Sequence, residues 1–157
     1  MNIGCHGLVW TGNFDAEGIR LAVQKTKEAG FDLIEFPLMD PFSFDVAVAK
    51  DALEEYGLDV SASLGLSEAT DVTSSDPVIV AAGEALLIKA VDVLADLGGK
   101  HFCGVIYSAM KKYMEPVTTE GLASSRDVIA RVADHASERG VSVSLEVVNR
   151  YETNVLN

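Results

Sequence analysis

Three glutamates stand where a carboxylate could do acid–base or metal-binding chemistry. Glu146 comes near the carboxyl end of a predicted strand, on its polar face, and Glu35 holds the equivalent place in an earlier strand. A carboxylate at such a place must be paired, hydrated or bound to a cation, because burying it bare is too costly. Glu152 follows just beyond the later strand and could reach back over the same site. The alternative for Glu146 is an ion pair with an Arg or Lys of the rim, and for Glu152 a solvated loop carboxylate. Glu35 could polarise a ligand-binding His, hold a substrate hydroxyl or pair with a rim cation.

Histidine offers a second kind of functional group. His6 lies on the first predicted strand, where it could donate a hydrogen bond to a substrate or be a satisfied rim residue. No His-x-x-x-His, Cys-x-x-Cys or Asp-x-x-His pair occurs, so the sequence contains no self-contained metal site. Residues that could form the apolar wall of a pocket follow the first and fourth strands: Trp10, Phe14, Tyr107, Met110 and Tyr113.

A repeated alternation of helix and strand positions these residues. Four segments of helical periodicity each end at glycine, which readily adopts the left-handed conformation just past a helix. Asp76 before Pro77 is the strongest start signal, since Asp caps free N–H groups and proline leaves none unpaired. The predicted strands are Ile3 to Trp10, Phe31 to Phe36, Asp59 to Leu66, His101 to Tyr107 and Val141 to Val148. The predicted helices are about Asp15 to Ala29, one starting after Ser43 or Asp45, one starting after Asp76, and about Glu120 to Arg139.

The strict alternation of strands and helices predicts a parallel α/β sheet with right-handed crossovers. Two architectures fit, an open doubly wound sheet and the first part of a (β/α)8 TIM barrel. The segment Gly7 to Asn13 does not match the glycine fingerprint of dinucleotide-binding folds. The third predicted strand alternates Ala62 and Leu64 with Ser61 and Ser63, whereas strands covered on both faces are apolar throughout. We therefore favour the barrel, with apolar residues packed on helices and small polar residues lining its mouth.

The chain of 157 residues is shorter than a complete barrel, which has eight strands and roughly 250 residues. The sequence predicts five strands and four helices, with no helix to cover the last strand. We therefore expect residues 1–157 to be the N-terminal part of a single barrel domain, with the C-terminal part absent.

Composition excludes several classes of partner. There are 12 Lys and Arg residues against 24 Asp and Glu, a formal net charge of −12, and nucleic-acid binding needs a basic surface. No apolar run approaches the roughly 20 residues that span a bilayer, and the N-terminus shows no signal peptide. Cys5 and Cys103 cannot provide a disulfide framework, which favours free thiols in a reducing cytosol. We expect a cytoplasmic protein with neither nucleic-acid nor membrane partners.

Four segments carry a resemblance to a known family. They are Gly4 to Trp10, Gly30 to Phe36, Ser63 to Ser67 and, most specifically, Leu145 to Glu152, which contains Glu-Val-Val-Asn-Arg-Tyr-Glu. Together they resemble the ketose 3-epimerases, that is, the D-allulose (D-psicose) and D-tagatose 3-epimerases of the xylose-isomerase-like superfamily. The resemblance runs in register from Met1 to Asn157 and implies a TIM barrel of the xylose-isomerase-like type.

The resemblance also implies a reaction: metal-dependent epimerisation of a free ketohexose at C3, between D-fructose and D-allulose or D-tagatose and D-sorbose. One carboxylate removes the C3 proton beside the C2 carbonyl, an enediolate forms, and a second carboxyl group returns a proton to the opposite face. The metal, Mn²⁺, Mg²⁺ or Co²⁺, stabilises the oxyanion as a Lewis acid.

Roles for individual residues follow from the same resemblance. Glu146 is implied to be both a metal ligand and one of the two acid–base carboxylates. Glu152 is implied to contact the substrate near its reacting carbons. His6 takes the position of a first-strand aromatic that lines the sugar site in several relatives, and Glu35 is implied to support the site. The remaining metal ligands, an Asp, a His and a second catalytic Glu, belong to later strands of the family and are expected from the missing C-terminal part.

Two other hypotheses stay open. The protein could be another sugar or hydroxy-acid isomerase of the same superfamily; its DNA-repair nucleases are disfavoured by the net charge of −12. Alternatively, the 157-residue chain is a catalytically incompetent half-barrel, whose open sheet edges predict self-association or reliance on a missing portion. We expect the full-length protein to be an isomerase of a small-molecule ketose and a homo-oligomer, a dimer or tetramer, and the chain alone to be inactive.

Overall fold

One five-stranded parallel sheet organises residues 2–157, the part of the chain that the computed structural model describes. Its strands are β1 (Gly4–His6), β2 (Leu33–Pro37), β3 (Asp59–Leu66), β4 (His101–Ala109) and β5 (Ser142–Val143), paired in that order. The helices are α1 (Ala16–Glu28), α2 (Val46–Tyr56), α3 (Pro77–Asp96) and α4 (Thr119–Glu138). Within residues 2–157, none of these helices is both long and apolar enough to cross a bilayer.

Aspartates begin the first three helices. The carboxylates of Asp15, Asp45 and Asp76 accept hydrogen bonds from backbone N–H groups two or three residues ahead, at 2.9, 3.0 and 2.8 Å. Each thereby satisfies an N–H group that the helix itself leaves unpaired. The start predicted at Asp76 and Pro77 is confirmed, and of the two starts left open for α2, Ser43 and Asp45, the structure has Asp45.

Glycines end the helices, as predicted. Gly30, Gly57, Gly98 and Gly140 have φ values of +85°, +62°, +81° and +71°, all in the left-handed region. This conformation reverses the chain after each helix and returns it to the amino-terminal edge of the sheet. Successive strands therefore run in the same direction, and their carboxyl ends all meet at the opposite edge.

The two faces of the sheet differ as the alternation predicts. Ile34 and Phe36 of β2 and Ala62 and Leu64 of β3 are buried among the residues of α1 to α4, and they form the core. The intervening side chains lie on the other face, which in a closed barrel is the interior. Small polar side chains there leave room for a functional site at the carboxyl ends of the strands.

The first strand is shorter than predicted. It was expected over Ile3 to Trp10, but it ends at His6 and the chain continues as a 3₁₀ turn, Gly7–Val9. The physical reason is a local hydrogen bond: the Leu8 N–H donates to Nδ1 of the His6 side chain at 3.2 Å, which turns the backbone out of the sheet. This bond also fixes one side of the His6 ring.

The fifth strand also ends early. It was expected over Val141 to Val148, but regular pairing covers only Ser142–Val143. The N–H groups of Ser144 and Glu146 still donate to β4, at 2.9 and 3.1 Å, so the chain stays extended. The ladder is interrupted opposite Gly104, whose φ of +136° is outside the strand range. Because β4 is the only strand beside β5 within residues 2–157, no second ladder restores it.

The apolar face of the fifth strand is largely uncovered, as expected from the absence of a predicted helix after it. Val141 is buried, but Leu145 is 41% and Val147 is 70% exposed. Val143 still packs against the core, so the uncovered part begins after the regular part of β5. The side chains of Leu145 and Val147 form an exposed apolar edge among the described residues.

Candidate active site

Glu146 lies at the carboxyl end of the sheet, three residues after the regular part of β5. Its N–H donates to the Gly104 carbonyl of β4 at 3.1 Å, and this bond holds the backbone beside the sheet. The side chain is exposed, and within residues 2–157 no group donates a hydrogen bond to its carboxylate. The carboxylate is therefore free to take up a proton or to bind a ligand.

A groove of about 480 Å³ opens beside Glu146 across the ends of the strands. We call it the carboxyl-end groove; its lining residues are His6, Leu8, Pro37, Met39, Ser63, Leu64, Gly65, Leu66, Ser67, Gly104, Val105, Met110 and Glu146. This volume falls within the range of roughly 300–1,000 Å³ that is usual for small-molecule sites. The mixture of apolar walls with a few polar groups is also typical of such sites.

Tyr107 holds the backbone of Glu146 in place. Tyr107 is only 2% exposed, and its single hydroxyl proton is shared between the Glu146 carbonyl at 2.8 Å and the more distant Leu156 carbonyl at 3.3 Å. Burial, and after it the charges of Glu146 and Glu152, raise the pKa of Tyr107, which therefore remains a neutral donor. Sequence reasoning placed Tyr107 in an apolar pocket wall and missed this function. The available signal was the spacing of two residues that places Tyr107 on the same face of β4 as Cys103 and Val105.

His6, Ser63 and Glu35 form a hydrogen-bonded row across β1, β3 and β2. Nε2 of His6 lies 3.2 Å from the Ser63 hydroxyl, and that hydroxyl donates to Oε1 of Glu35 at 2.9 Å. Nε2 is also 3.7 Å from the same carboxylate oxygen. His6 lies at the carboxyl end of β1 and borders the carboxyl-end groove.

Glu35 lies in the middle of its strand and not at the end where it was predicted, because β2 continues to Pro37. In the sheet it is opposite His6 on one side and Ser61 on the other. It borders a separate depression of about 330 Å³, lined by Gly4, Cys5, His6, Leu33, Glu35 and Ser61. His6 thus stands between Glu35 and the carboxyl-end groove.

Cys103 of β4 faces the same interior. Its Sγ lies 3.9 Å from Oε2 of Glu35, so the thiol can donate to that carboxylate. Burial, together with the negative charges of Glu35 and Glu146, raises the pKa of Cys103 to about 11. The thiol therefore stays protonated at neutral pH and is a poor nucleophile.

Glu152 lies outside the carboxyl-end groove, in the turn that follows β5. Its carboxylate accepts a hydrogen bond from the Asn149 side-chain amide, and its carbonyl accepts one from the Lys111 N–H at 2.8 Å. Its charge is close enough to raise the pKa of Tyr107, which places it near the end of β4. The structure thus brings Glu146 and His6 to one groove, with Glu35 behind it and Glu152 beyond it.

The pocket-wall residues that the sequence suggested separate into different environments. Met110 borders the carboxyl-end groove. Trp10 packs against the core and donates from Nε1 to Thr26 of α1 at 2.9 Å, while Phe14 packs edge-on against Phe36. Tyr113 donates to Asp71 at 2.5 Å. Trp10 and Phe14 therefore stabilise the fold, and Tyr113 anchors the loop after β4.

The described residues do not fit a complete metal site. Within residues 2–157, no group of three or more His, Cys, Asp and Glu side chains is arranged to hold an ion. Glu146 is the only acidic residue that borders the carboxyl-end groove in this part of the chain. Divalent ions in proteins take four or more ligands, of which residues 2–157 offer one carboxylate at this place.

The sheet topology and the groove define a class of protein. The chain belongs to the xylose isomerase-like TIM barrel family, since that family's model matches residues 23–157. The predicted fold is therefore confirmed, with the chain containing five strands and four helices of such a barrel.

Relatives narrow the similarity further. The chain is 74% identical to a ketose 3-epimerase of Arthrobacter globiformis, over 100% of this chain and 54% of that protein. It is 53% identical to an L-ribulose 3-epimerase of Methylomonas sp. strain DH-1, over 100% of this chain and 55% of that protein. The crystal structure of a D-allulose 3-epimerase from Methylomonas sp. in complex with D-allulose matches it with a TM-score of 0.97 at 53% identity, covering 100% of this chain and 55% of that one. The chain thus spans about half the length of the curated relatives it matches.

Proposed function

We propose that residues 1–157 form the first part of a ketose 3-epimerase, in a single barrel domain about twice this length. The observation that carries this proposal is the free carboxylate of Glu146 at the carboxyl ends of parallel strands, beside a groove of about 480 Å³. Catalytic groups of TIM barrels come from this end of the strands. The similarity to ketose and L-ribulose 3-epimerases gives the reaction class.

The proposed reaction inverts C3 of a free ketohexose, between D-fructose and D-allulose or D-tagatose and D-sorbose. Glu146 exchanges a proton with C3 on one face of the sugar, which converts the ketose to an enediolate. Inversion requires a second group on the opposite face to exchange the other proton. Among the described residues, no other carboxylate borders the groove, so we assign that group to the remainder of the barrel.

The other predicted site residues have proposed roles around this centre. We assign Glu152 to a substrate hydroxyl near the reacting carbons, which requires its turn to fold over the groove. His6 contributes to the wall of the sugar site, and Glu35 supports His6 from behind. Glu146 is also proposed to give one ligand to an Mn²⁺, Mg²⁺ or Co²⁺ ion whose other ligands lie outside residues 2–157.

The proposal extends to the state of the whole protein. We propose a homo-oligomer, a dimer or tetramer, that acts on a small-molecule ketose in the cytoplasm. The free thiols of Cys5 and Cys103 are consistent with a reducing compartment.

Replacement of Glu146 in the full-length protein tests the function. Glu146→Gln keeps the shape of the side chain and removes the carboxylate, so D-fructose to D-allulose conversion should fall by about 100-fold or more. Glu138→Gln is the matched control, because Glu138 is an exposed glutamate at the end of α4, which lies at the amino-terminal edge of the sheet, opposite the groove. Normal conversion by Glu146→Gln would refute the proposal. Activity on an aldose alone, in a panel of ketoses and aldoses, would replace it with another isomerase of the family.

The 157-residue chain alone is proposed to be inactive. The supporting observations are the single carboxylate at the groove and the exposed Leu145 and Val147 at the edge of the sheet. Calorimetric titration of this chain with Mn²⁺ should therefore show no stoichiometric tight binding, whereas the full-length protein should bind. Tight binding by the short chain would contradict this proposal.

A further inference from the structure

Both nitrogens of the His6 ring already have partners inside the protein. Nδ1 accepts a hydrogen bond from the Leu8 N–H at 3.2 Å, so Nδ1 carries no proton. The proton of the neutral ring is then on Nε2, which lies 3.2 Å from the Ser63 hydroxyl. The His6 side chain is nevertheless 35% exposed, so it is the carbon part of the ring that faces the groove.

Glu35, at the far end of the row, determines which groups donate and which accept along it. An ionised carboxylate only accepts hydrogen bonds, so the Ser63 hydroxyl, 2.9 Å from Oε1, donates to it. Having given its only proton to Glu35, Ser63 accepts at Oγ, and the matching donor is Nε2–H of His6. Every donor from Leu8 to Glu35 then has one acceptor.

The other oxygen of Glu35 is occupied by different groups. Oε2 lies 3.5 Å from the Ser61 hydroxyl and 3.9 Å from the Cys103 sulfur. These contacts from β3 and β4 hold the carboxylate and leave Oε1 for Ser63. Glu35 and Cys103 are the titratable groups in contact with this part of the row, and Glu146 borders the groove beside His6; within residues 2–157 no Lys or Arg pairs with Glu35.

We propose that Glu35 is a positioning residue that, acting through Ser63, holds His6 in the Nε2–H tautomer, so that the ring offers carbon and not an N–H to the ligand. His6 then packs against the C–H groups of a ketose and does not donate to its hydroxyl groups. Ser63 and Glu35 thus set a preference for the apolar side of the sugar at this wall. This inference rests on the proposed function only for the identity of the ligand.

The tautomer itself can be measured without any substrate. In the full-length protein labelled with ¹⁵N-histidine, two-bond ¹⁵N–¹H correlation spectra distinguish a protonated from an unprotonated ring nitrogen. His6, assigned by loss of its signals in His6→Phe, should show an unprotonated Nδ1 and a protonated Nε2 at neutral pH. A protonated Nδ1, or two tautomers in exchange, would overturn the inference.

Kinetics then test the positioning role with two neighbouring serines. Ser63→Ala breaks the row, so KM for the ketose should rise about tenfold with kcat changed less than about twofold, as for one lost hydrogen bond. Ser61→Ala is the matched control, because Ser61 touches Glu35 but not His6, and its KM should stay within about twofold. Glu35→Gln keeps an acceptor for Ser63 and should retain a lower KM than Glu35→Ala.

The outcomes separate the two proposals. Equal KM values for Ser63→Ala and Ser61→Ala would overturn the positioning role even if the protein is an epimerase. Absence of any epimerisation in the wild-type protein would refute the proposed function, and the tautomer of His6 would then decide the positioning role on its own.

Discussion

The hydroxyl of Tyr107 should affect both stability and kcat, although Tyr107 does not border the carboxyl-end groove. Tyr107→Phe removes the donor that holds the carbonyls of Glu146 and Leu156, at 2.8 and 3.3 Å, and keeps the ring that fills the interior. No other group of residues 2–157 donates to the Glu146 carbonyl. The substitution therefore loosens the backbone of the proposed catalytic residue without opening a cavity.

The expected magnitude follows from the one hydroxyl proton that these two carbonyls share. A neutral hydrogen bond contributes about 0.5–1.5 kcal/mol net, and a buried group left without a partner costs about 1–3 kcal/mol. Glu146 is exposed, so water can replace part of the lost bond, and the lower part of the range applies. We expect a loss of about 1–2 kcal/mol, which corresponds to a factor of about 5–30 in an equilibrium.

Two measurements on the full-length protein check this prediction. The denaturant midpoint should fall, and kcat for ketose epimerisation should drop about 5- to 30-fold with little change in KM, because Glu146 is displaced while the groove remains. The control is Tyr56→Phe, since Tyr56 packs on the core and its hydroxyl has no hydrogen-bond partner within residues 2–157. Equal stability and equal kcat for the two variants would show that the Tyr107 hydroxyl does not hold Glu146 in place.

Three further predictions concern the sheet and the helices. Only a thiolate is readily alkylated, and the pKa of Cys103 is raised to about 11. Cys103 should therefore react slowly with iodoacetamide at pH 9.0, where an ordinary thiol is half ionised, and faster as the pH approaches 11. Rapid labelling of Cys103 at pH 9.0, measured by mass spectrometry, would contradict this. Gly104→Ala places a Cβ 2.0 Å from a backbone oxygen of β3 and should lower the free energy of unfolding by about 2 kcal/mol or more. In the control, Gly12→Ala, the added Cβ meets no atom within 4 Å, so the denaturant midpoint should stay unchanged. Arg131 lowers the pKa of Glu84, so their ion pair stabilises the protein above the ordinary pKa of 4.5, and this stabilisation is lost as the pH falls through the lowered pKa. Glu84→Gln should reduce the free energy of unfolding by less than about 1 kcal/mol at pH 7 and should not change it near pH 2. An equal reduction at both pH values would contradict the assignment.

Much of the fold was predictable because its signals are local. The aspartates that begin the helices and the glycines that end them act on groups a few residues away, and alternation along β3 reports the two environments of the sheet. The ends of β1 and β5 were predicted less well. At His6 a side chain captures a nearby N–H group, and opposite β5 the irregular residue Gly104 belongs to another strand.

Individual residues of the site could be predicted from the sequence, whereas the hydrogen bonds and contacts between them could not. The sequence singled out Glu146 because it comes near the end of a predicted strand on the polar face, and His6 because it is a histidine on the first predicted strand; both border one groove. It offered Glu35 as a group that could polarise a ligand-binding His but did not identify His6 as its neighbour, because that depends on the register of three strands. The hydrogen bond from Tyr107 to Glu146 was also not predicted, because these two residues are 39 positions apart in the chain.

We propose that Glu146 exchanges a proton with C3 of a ketose, and isotope transfer from solvent measures this exchange directly. In D₂O, full-length wild-type protein should convert D-fructose to D-allulose that carries solvent deuterium at C3, because the departing and returning protons occupy different faces. Glu146→Gln should form neither product nor deuterated D-fructose, while Glu138→Gln should behave as wild type. D-allulose formed without deuterium at C3, or labelled equally fast by Glu146→Gln, would contradict the account.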